Sequence, residues 1–177
     1  MPRYIALLRA INVGGHVVTM DRLRALFGEL GLTDVESFIA SGNVIFSARP
    51  GATESLERRI AAHLEQSLGY QVGTFLRSAD ELAAVAAHEA FPADEVAAAF
   101  AEMIAFLPAA PGAAVRRAVE SLSNDTDAFR LHGRELYWLR RDASSDPKVA
   151  VALGKALSMP ITVRNLNTVR RLAEKYG

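Results

Sequence analysis

The feature that most constrains the fold is a short apolar segment near the beginning of the sequence, residues 4–8. Tyr4, Ala6 and Leu8 alternate with Ile5 and Leu7, so a strand built from this segment is apolar on both faces. Where helices cover one face of a sheet, an apolar second face needs another cover. We therefore expect a later part of the chain, or a second copy of it in a homodimer, to cover that face.

The next residues predict a glycine turn between this strand and a helix. Gly14 and Gly15 tolerate backbone angles that a Cβ forbids and let another group approach the main chain closely. Thr19 is then a good N-cap for the helix. A strand, a glycine turn and a helix start can bind an anion. The same pattern also serves as a plain tight connection, because it lacks the spacing of a nucleotide-binding fingerprint.

Arg9 lies at the end of the apolar strand, and we expect its side chain to be buried among apolar neighbours. A buried guanidinium strongly costs stability unless it is paired. Its partner is predicted to be either a carboxylate at the edge of the core or a ligand.

Residues 1–77 show the pattern of a βαββαβ unit. The predicted strands are residues 4–8, 35–40, 44–46 and 72–76, and the helical faces hold Leu23, Leu26, Phe27 and Leu30, then Leu56, Ile60, Leu64 and Leu68. Strand order 4-1-3-2 would bring the end of strand 1 and the hairpin between strands 2 and 3 to one edge. Two groups of turn residues are then expected to converge there: Asn12, Gly14 and Gly15, and Ser41, Gly42 and Asn43.

The same order of elements recurs in residues 102–177, after an acidic, alanine-rich helical connector over 78–101 that begins with the capping box Ser78-x-x-Glu81. The predicted elements are a strand at 103–107, a helix at 113–122, a hairpin at 129–139, a helix from Pro147, a strand at 161–163 and a closing helix. The predicted fold class is therefore α+β, with two tandem ferredoxin-like βαββαβ units packed together and a C-terminal helix. The predicted domains are 1–77, 78–101 and 102–177.

Charge and composition exclude several classes of protein. The formal net charge is zero, but residues 78–129 carry two cations against nine carboxylates, whereas residues 130–177 carry ten against four. The two segments can pair with each other, or the basic one can face an anion. There is no run of eighteen apolar residues, no signal peptide and no cysteine, which predicts a cytoplasmic protein without membrane spans or disulfides.

The segment TVRNLNT, residues 162–168, predicts a second polar cluster. Thr162 and Arg164 share one face of a short strand, Asn165 is an apt N-cap for the closing helix, and Thr168 faces the same helix entrance. An arginine beside open helix amides is a good clamp for an oxyanion. We expect Arg164 to reach the glycine turns and to present, with Arg9, two guanidiniums to one anion. The alternative is a capped helix whose Arg164 is tied to the acidic segment.

Patterns for catalysis or metal binding are scarce. The four histidines are widely spaced, and no HxH, HExxH or GxSxG pattern occurs, so neither a metal site nor a cofactor is predicted. His16, next to the glycine turn, is the histidine to test as an acid or base. Whether the protein is an enzyme stays open.

Three motifs, LRAINVGG at 8–15, FIASGNVIF at 38–46 and TVRNLNTV at 162–169, resemble the largely bacterial family known as domain of unknown function 1697. The resemblance covers essentially the whole chain and implies no established activity. This sequence has Ala10 where such proteins usually have glycine, and Leu166 where they often have tryptophan. The first difference limits how closely a ligand could approach that backbone, and the second removes a stacking ring.

The leading hypothesis is a protein that binds a small anionic ligand, such as a nucleotide or a phosphorylated metabolite, between the two units. The predicted ligand-binding residues are Arg9, Asn12, Gly14, Gly15, Ser41, Gly42, Asn43, Thr162, Arg164, Asn165 and Thr168. The alternatives are a nucleic-acid-binding module, against which the zero net charge and the missing aromatic and basic strand signature argue, and a dimerisation protein without catalysis.

Overall fold

The computed structural model describes every residue except Val13, Ala40, Ser41 and Ser145. The chain forms two compact units, one made of Met1–Ala84 with Arg170–Gly177 and the other of Val85–Val169. The last helix therefore starts in the second unit and ends in the first. The domain boundaries expected from the sequence, 1–77, 78–101 and 102–177, stay a prediction.

The first unit has the predicted βαββαβ order. Its elements are β1 (Arg3–Arg9), α1 (Met20–Glu29), β2 (Thr33–Ser37), β3 (Asn43–Ser47), α2 (Thr53–Leu68), β4 (Gly73–Ser78) and the first part of α3 (Ala79–Ala87). The strands form one sheet in the order β2-β3-β1-β4, with antiparallel pairing throughout. This is the expected order 4-1-3-2. The central strand β1 hydrogen-bonds on both of its edges.

Local signals in the sequence set most of the helix ends. The Thr19 side chain accepts a hydrogen bond from the Arg22 amide, 3.1 Å away, at the start of α1. Ser78 and Glu81 form the predicted capping box. The Ser78 amide donates to Glu81 Oε2 at 2.8 Å, and the Glu81 amide donates to Ser78 Oγ at 3.1 Å. The N-cap of α2 is Ala52, which has no side-chain acceptor, and Thr53 is the first helical residue.

Hydrophobic burial holds β1 in place. All five residues from Tyr4 to Leu8 are at most 5 % exposed. Tyr4, Ala6 and Leu8 belong to one core cluster with the buried residues of α1 and α2, namely Leu23, Leu26, Phe27, Ile60 and Leu64. Ile5 and Leu7, which alternate with them, are fully buried. The pattern of a strand that is buried on both faces is therefore present in the structure.

The second unit repeats the same topology. Its elements are the end of α3, α4 (Ala93–Ala98), β5 (Ala101–Phe106), α5 (Ala113–Glu120), β6 (Asp127–His132), β7 (Glu135–Arg140), α6 (Pro147–Leu157), β8 (Thr162–Asn165) and the start of α7 (Leu166–Tyr176). The sheet order is β6-β7-β5-β8. The predicted fold class, two tandem ferredoxin-like units with a C-terminal helix, is confirmed.

The core of the second unit lies between its sheet and two of its helices. The buried cluster includes Leu107 after β5, Val119 of α5, Phe129 of β6 and Leu153 and Leu157 of α6. Trp138 is partly buried and donates from its indole nitrogen to the buried carboxylate of Asp127, at 2.7 Å.

In the described part of the chain, no helix is long and apolar enough to cross a membrane.

Two histidines of the second unit stack on each other at one end of its sheet. The rings of His88 and His132 lie 3.9 Å apart at 9°, and the ring of Tyr137 is 5.0 Å from that of His88. Burial, together with the charge of His132, lowers the pKa of His88 below its ordinary value. The native state therefore favours a neutral His88.

This pair predicts a pH dependence of stability. Because the native pKa of His88 is depressed, its contribution is fully present above the unfolded pKa of about 6.5 and is lost as the pH falls below it. We expect the free energy of unfolding, measured with urea between about pH 7.5 and 5, to fall less steeply in His132→Phe, which keeps a ring but removes the charge. Equal slopes for the wild type and the variant would contradict the coupling.

Candidate functional site

The end of β1 and the β2–β3 hairpin lie at the same end of the first sheet, as expected. Leu7 is paired with Asn43, and the Leu8 amide donates to the Gly42 carbonyl at 2.7 Å. The loop that starts after Arg9 and the hairpin loop therefore leave the sheet side by side. Ser41, one of the predicted ligand residues, lies outside the described residues.

The loop after β1 is built on unusual backbone angles. Ala10, Gly14 and Gly15 have φ values of 62°, 66° and 82°. Hydrogen bonds between described residues help to hold the loop. The Asn12 Oδ1 atom accepts from the Val18 amide at 2.8 Å, and the Tyr70 hydroxyl donates to the Ile11 carbonyl at 2.6 Å. The side-chain oxygen of the predicted ligand residue Asn12 is therefore engaged in closing the loop.

The expectation that Arg9 is buried is wrong. Arg9 is exposed, because β1 ends there and its side chain extends beyond the apolar core. Its register partner on β4 is Gly73, and a Cβ at that glycine would lie only 3.1 Å from the Arg9 Cβ. Among the described residues, Arg9 forms no ion pair or hydrogen bond. Arg9 thus precedes the glycine turn with a guanidinium that has no partner among the described residues.

His16 is held against an aromatic ring that sequence reasoning missed. The rings of His16 and Tyr70 stack with centroids 4.0 Å apart at 20°. Tyr70 precedes β4 and is only partly exposed, so it supports both the loop backbone and the imidazole. A lone tyrosine after the αL cap at Gly69 has no periodic signal that would assign it to a loop 54 residues earlier. We call Arg9, Gly14, Gly15 and His16 the glycine-turn site.

The hairpin residues serve mainly to build the hairpin. Asn43 is 4 % exposed, and its amide nitrogen donates to the Phe38 carbonyl at 3.0 Å. The Phe38 amide in turn donates to the Asn43 carbonyl at 3.1 Å. The Gly42 carbonyl accepts the hydrogen bond from the Leu8 amide. These contacts give Gly42 and Asn43 structural roles next to the glycine-turn site.

The predicted cluster at residues 162–168 lies in the second unit. Nη1 of Arg164, a half-buried residue, donates to Thr162 Oγ1 at 2.7 Å and to the Val163 carbonyl at 2.9 Å. Burial lowers the pKa of Arg164 from its ordinary value. Asn165 Oδ1 accepts from the Asn167 amide at 2.9 Å, which confirms the expected helix cap.

Thr162 is 4 % exposed and Thr168 is half-buried, so neither presents a fully open hydroxyl. It stays a prediction that Arg164 reaches the glycine turns and shares an anion with Arg9. Leu166 is 4 % exposed and belongs to the interior.

Sequence reasoning also missed the most buried cation. Arg77 is 1 % exposed and donates from Nη1 to the Leu76 carbonyl at 2.9 Å. The predicted strand ends at Leu76, whereas β4 continues to Ser78. Strand alternation from Phe75 would have placed Arg77 on the same buried face. Among the described residues, no group of three metal-ligating side chains occurs.

The backbone of the glycine turn generates a stability prediction at Ala10. An L-residue with φ of 62° costs about 1–2 kcal/mol, whereas glycine loses about 0.5–1 kcal/mol more backbone entropy on folding. We expect Ala10→Gly to raise the free energy of unfolding by roughly 0.5–1 kcal/mol in urea titrations.

Gly15→Ala is the matched control for this change. Its φ is 82° and nothing lies within 4 Å of an added Cβ, so only backbone strain changes. It should lower the stability by a similar amount. An Ala10→Gly variant that is less stable than the wild type would show that Ala10 contributes packing that outweighs its strain.

Comparisons with known proteins agree with this architecture. The structure of the conserved bacterial protein SP0830 from Streptococcus pneumoniae is similar over 99 % of both chains, with a TM-score of 0.74 and 26 % sequence identity. No protein of curated function matches the sequence. The model of a protein family of unknown function, DUF1697, matches residues 1–137. Since this match covers most of the chain, including the whole glycine-turn site, the protein belongs to the DUF1697 family.

Proposed function

We propose that this protein binds a small anionic ligand at the glycine-turn site. The observation that carries the proposal is the exposed Arg9 guanidinium, which has no partner among the described residues and stands where β1 leads into the two positive-φ glycines. A guanidinium offers five N–H donors in a planar fork that matches the oxygens of a phosphate or carboxylate.

The position of Arg9 favours binding over a purely solvated role. The base of its side chain lies against Gly73 on the neighbouring strand. A side chain that is already restrained loses less entropy when its head group binds a ligand. Larger residues at position 73 would collide with this stem, so the close approach depends on glycine.

The loop backbone adds neutral donors to this charge. Successive backbone N–H groups in a turn can form a concavity that suits an anion. Gly14 and Gly15 lie in a turn with positive φ, and neither carries a Cβ that would shield the amides. His16, stacked on Tyr70, contributes a further ring N–H at the same loop.

The chemistry of the site favours a phosphorylated small molecule. Arg9 and several backbone amides together suit a group with three equivalent oxygens better than a single carboxylate oxygen pair. A nucleotide or a phosphorylated metabolite is the class of ligand that carries such a group. The proposal concerns binding, and it assigns no catalytic residue.

The test compares Arg9→Ala with Arg58→Ala, an equal change of charge at an exposed arginine of α2 in the same unit. Titrations with inorganic pyrophosphate, AMP and ATP are followed by isothermal calorimetry and by the amide resonances of Gly14 and Gly15. Because a hydrogen bond to a charged group is worth about 1.5–3 kcal/mol, Arg9→Ala should weaken binding roughly ten- to a hundred-fold. Arg58→Ala should leave it unchanged.

Two results would refute the proposal. One is that none of the phosphorylated probes perturbs the Gly14 and Gly15 amides of the wild type. The other is equal affinity in wild type and Arg9→Ala, with both proteins folded by circular dichroism.

Single-stranded nucleic acid is expected to bind only weakly. The net charge is zero, so few phosphates can be neutralised at once. In fluorescence-anisotropy titrations with single-stranded RNA and DNA, we expect no affinity tighter than the roughly micromolar range of non-specific contacts. Tight binding that collapses with added salt would instead favour a nucleic-acid-binding module.

A further inference from the structure

A large cleft lies at the opposite end of the first sheet from the glycine-turn site. It is bounded by the start of β1, the loop between α1 and β2, and the loop from β3 to α2. Its volume is about 690 Å³, within the range of about 300–1,000 Å³ that small-molecule sites occupy. The register pair Arg3 and Ser47 marks this end of the sheet, whereas Leu7 and Asn43 mark the other.

The charged side chains that line the cleft are both arginines. They are Arg49, in the loop after β3, and Arg59, on α2, and no carboxylate of the described residues joins them. Arg49 has no hydrogen-bond or ion-pair partner among the described residues. Arg59 makes one long contact of 3.4 Å from Nη2 to the Leu30 carbonyl, which leaves most of its donors free for another acceptor. The described residues that line the cleft therefore carry positive charge and no carboxylate.

Backbone donors at the start of α2 reinforce this charge. Gly51, Ala52 and Ser55 line the cleft. Ala52 provides no side-chain acceptor for the first amides of this 16-residue helix, and its carbonyl accepts from the Ser55 amide at 3.1 Å. Uncapped N-terminal amides and the helix dipole favour an anion. Glu54, in the same first turn, opposes this effect, so the arginines rather than the helix end carry the argument.

Most of the other lining residues are apolar, although Thr33 and Ser55 add polar groups. The apolar ones include Tyr4, Leu30, Leu32 and Leu56, of which Tyr4 and Leu32 are also buried parts of the core. A bare inorganic ion would leave these apolar side chains in water, whereas a ligand with an apolar body would cover them. We propose that this arginine cleft binds a small organic oxyanion, a phosphate or carboxylate group carried on an aromatic or aliphatic body.

The test is a titration of isotopically labelled protein with three probes. Phenyl phosphate and benzoate compare a phosphate with a carboxylate head group, and phenol is the neutral analogue. Phenyl phosphate or benzoate should shift the amide resonances of Gly31, Gly51 and Ser55, whereas phenol should shift them far less. Arg49→Ala and Arg59→Ala should each weaken binding roughly ten-fold or more. Arg58→Ala is the control, because Arg58 is the preceding residue on α2 and does not line the cleft.

If Arg59→Ala is unfolded, Arg59→Lys replaces it in the test. This variant keeps the charge and the aliphatic stem, and it should retain part of the affinity. The cleft proposal is overturned if neither anion shifts these amides, if phenol shifts them as strongly, or if Arg49→Ala and the folded Arg59 variants bind as tightly as Arg58→Ala. The amides of Gly14 and Gly15 report on the glycine-turn site in the same spectra, so the failure of one site is distinguishable from that of the other.

Discussion

The first unit depends on the burial of β1 at the centre of its sheet. Five consecutive residues, 4–8, are almost completely excluded from solvent, and both edges of the strand are hydrogen-bonded. A register slip of one residue would exchange the side chains of its two faces, so the register of such a strand is strongly specified. The position of Arg9, and of the turn that follows it, is a consequence of this register.

Two arginines near strand ends of the first sheet have different environments. Arg9 pairs with Gly73 at the end of β1, where the sheet gives way to loops, and its guanidinium is solvated. Arg77 pairs with Ile5, one position before the end of the edge strand β4, and is buried. A charge in the interior needs hydrogen bonds to offset its desolvation, and Arg77 donates one of them to the adjacent carbonyl. The exposed arginine is therefore the one available to a ligand.

Both proposed sites lie where strands of the first sheet end. Within the sheet, most backbone amides donate to neighbouring strands, and most side chains on the buried faces are apolar. At the ends, loops supply free amides, and glycines and arginines are found where the core no longer excludes water. The glycine-turn site is open and held together by Tyr70, whereas the arginine cleft has a mostly apolar wall. The difference favours a compact oxyanion at the first and a ligand with an apolar body at the second.

The sequence by itself determined the order of elements, the fold class and several helix ends, because periodicity and caps are local properties of the chain. It also placed the β1 end beside the β2–β3 hairpin, since strand order 4-1-3-2 leaves no other geometry. Only the tertiary structure decided that Arg9 is exposed and that Asn12 and Asn43 hold their loops. The tertiary structure alone also showed that Tyr70 stacks on His16 and that three separate segments form the arginine cleft. These contacts join residues far apart in the chain, and no local pattern encodes which distant side chains will meet.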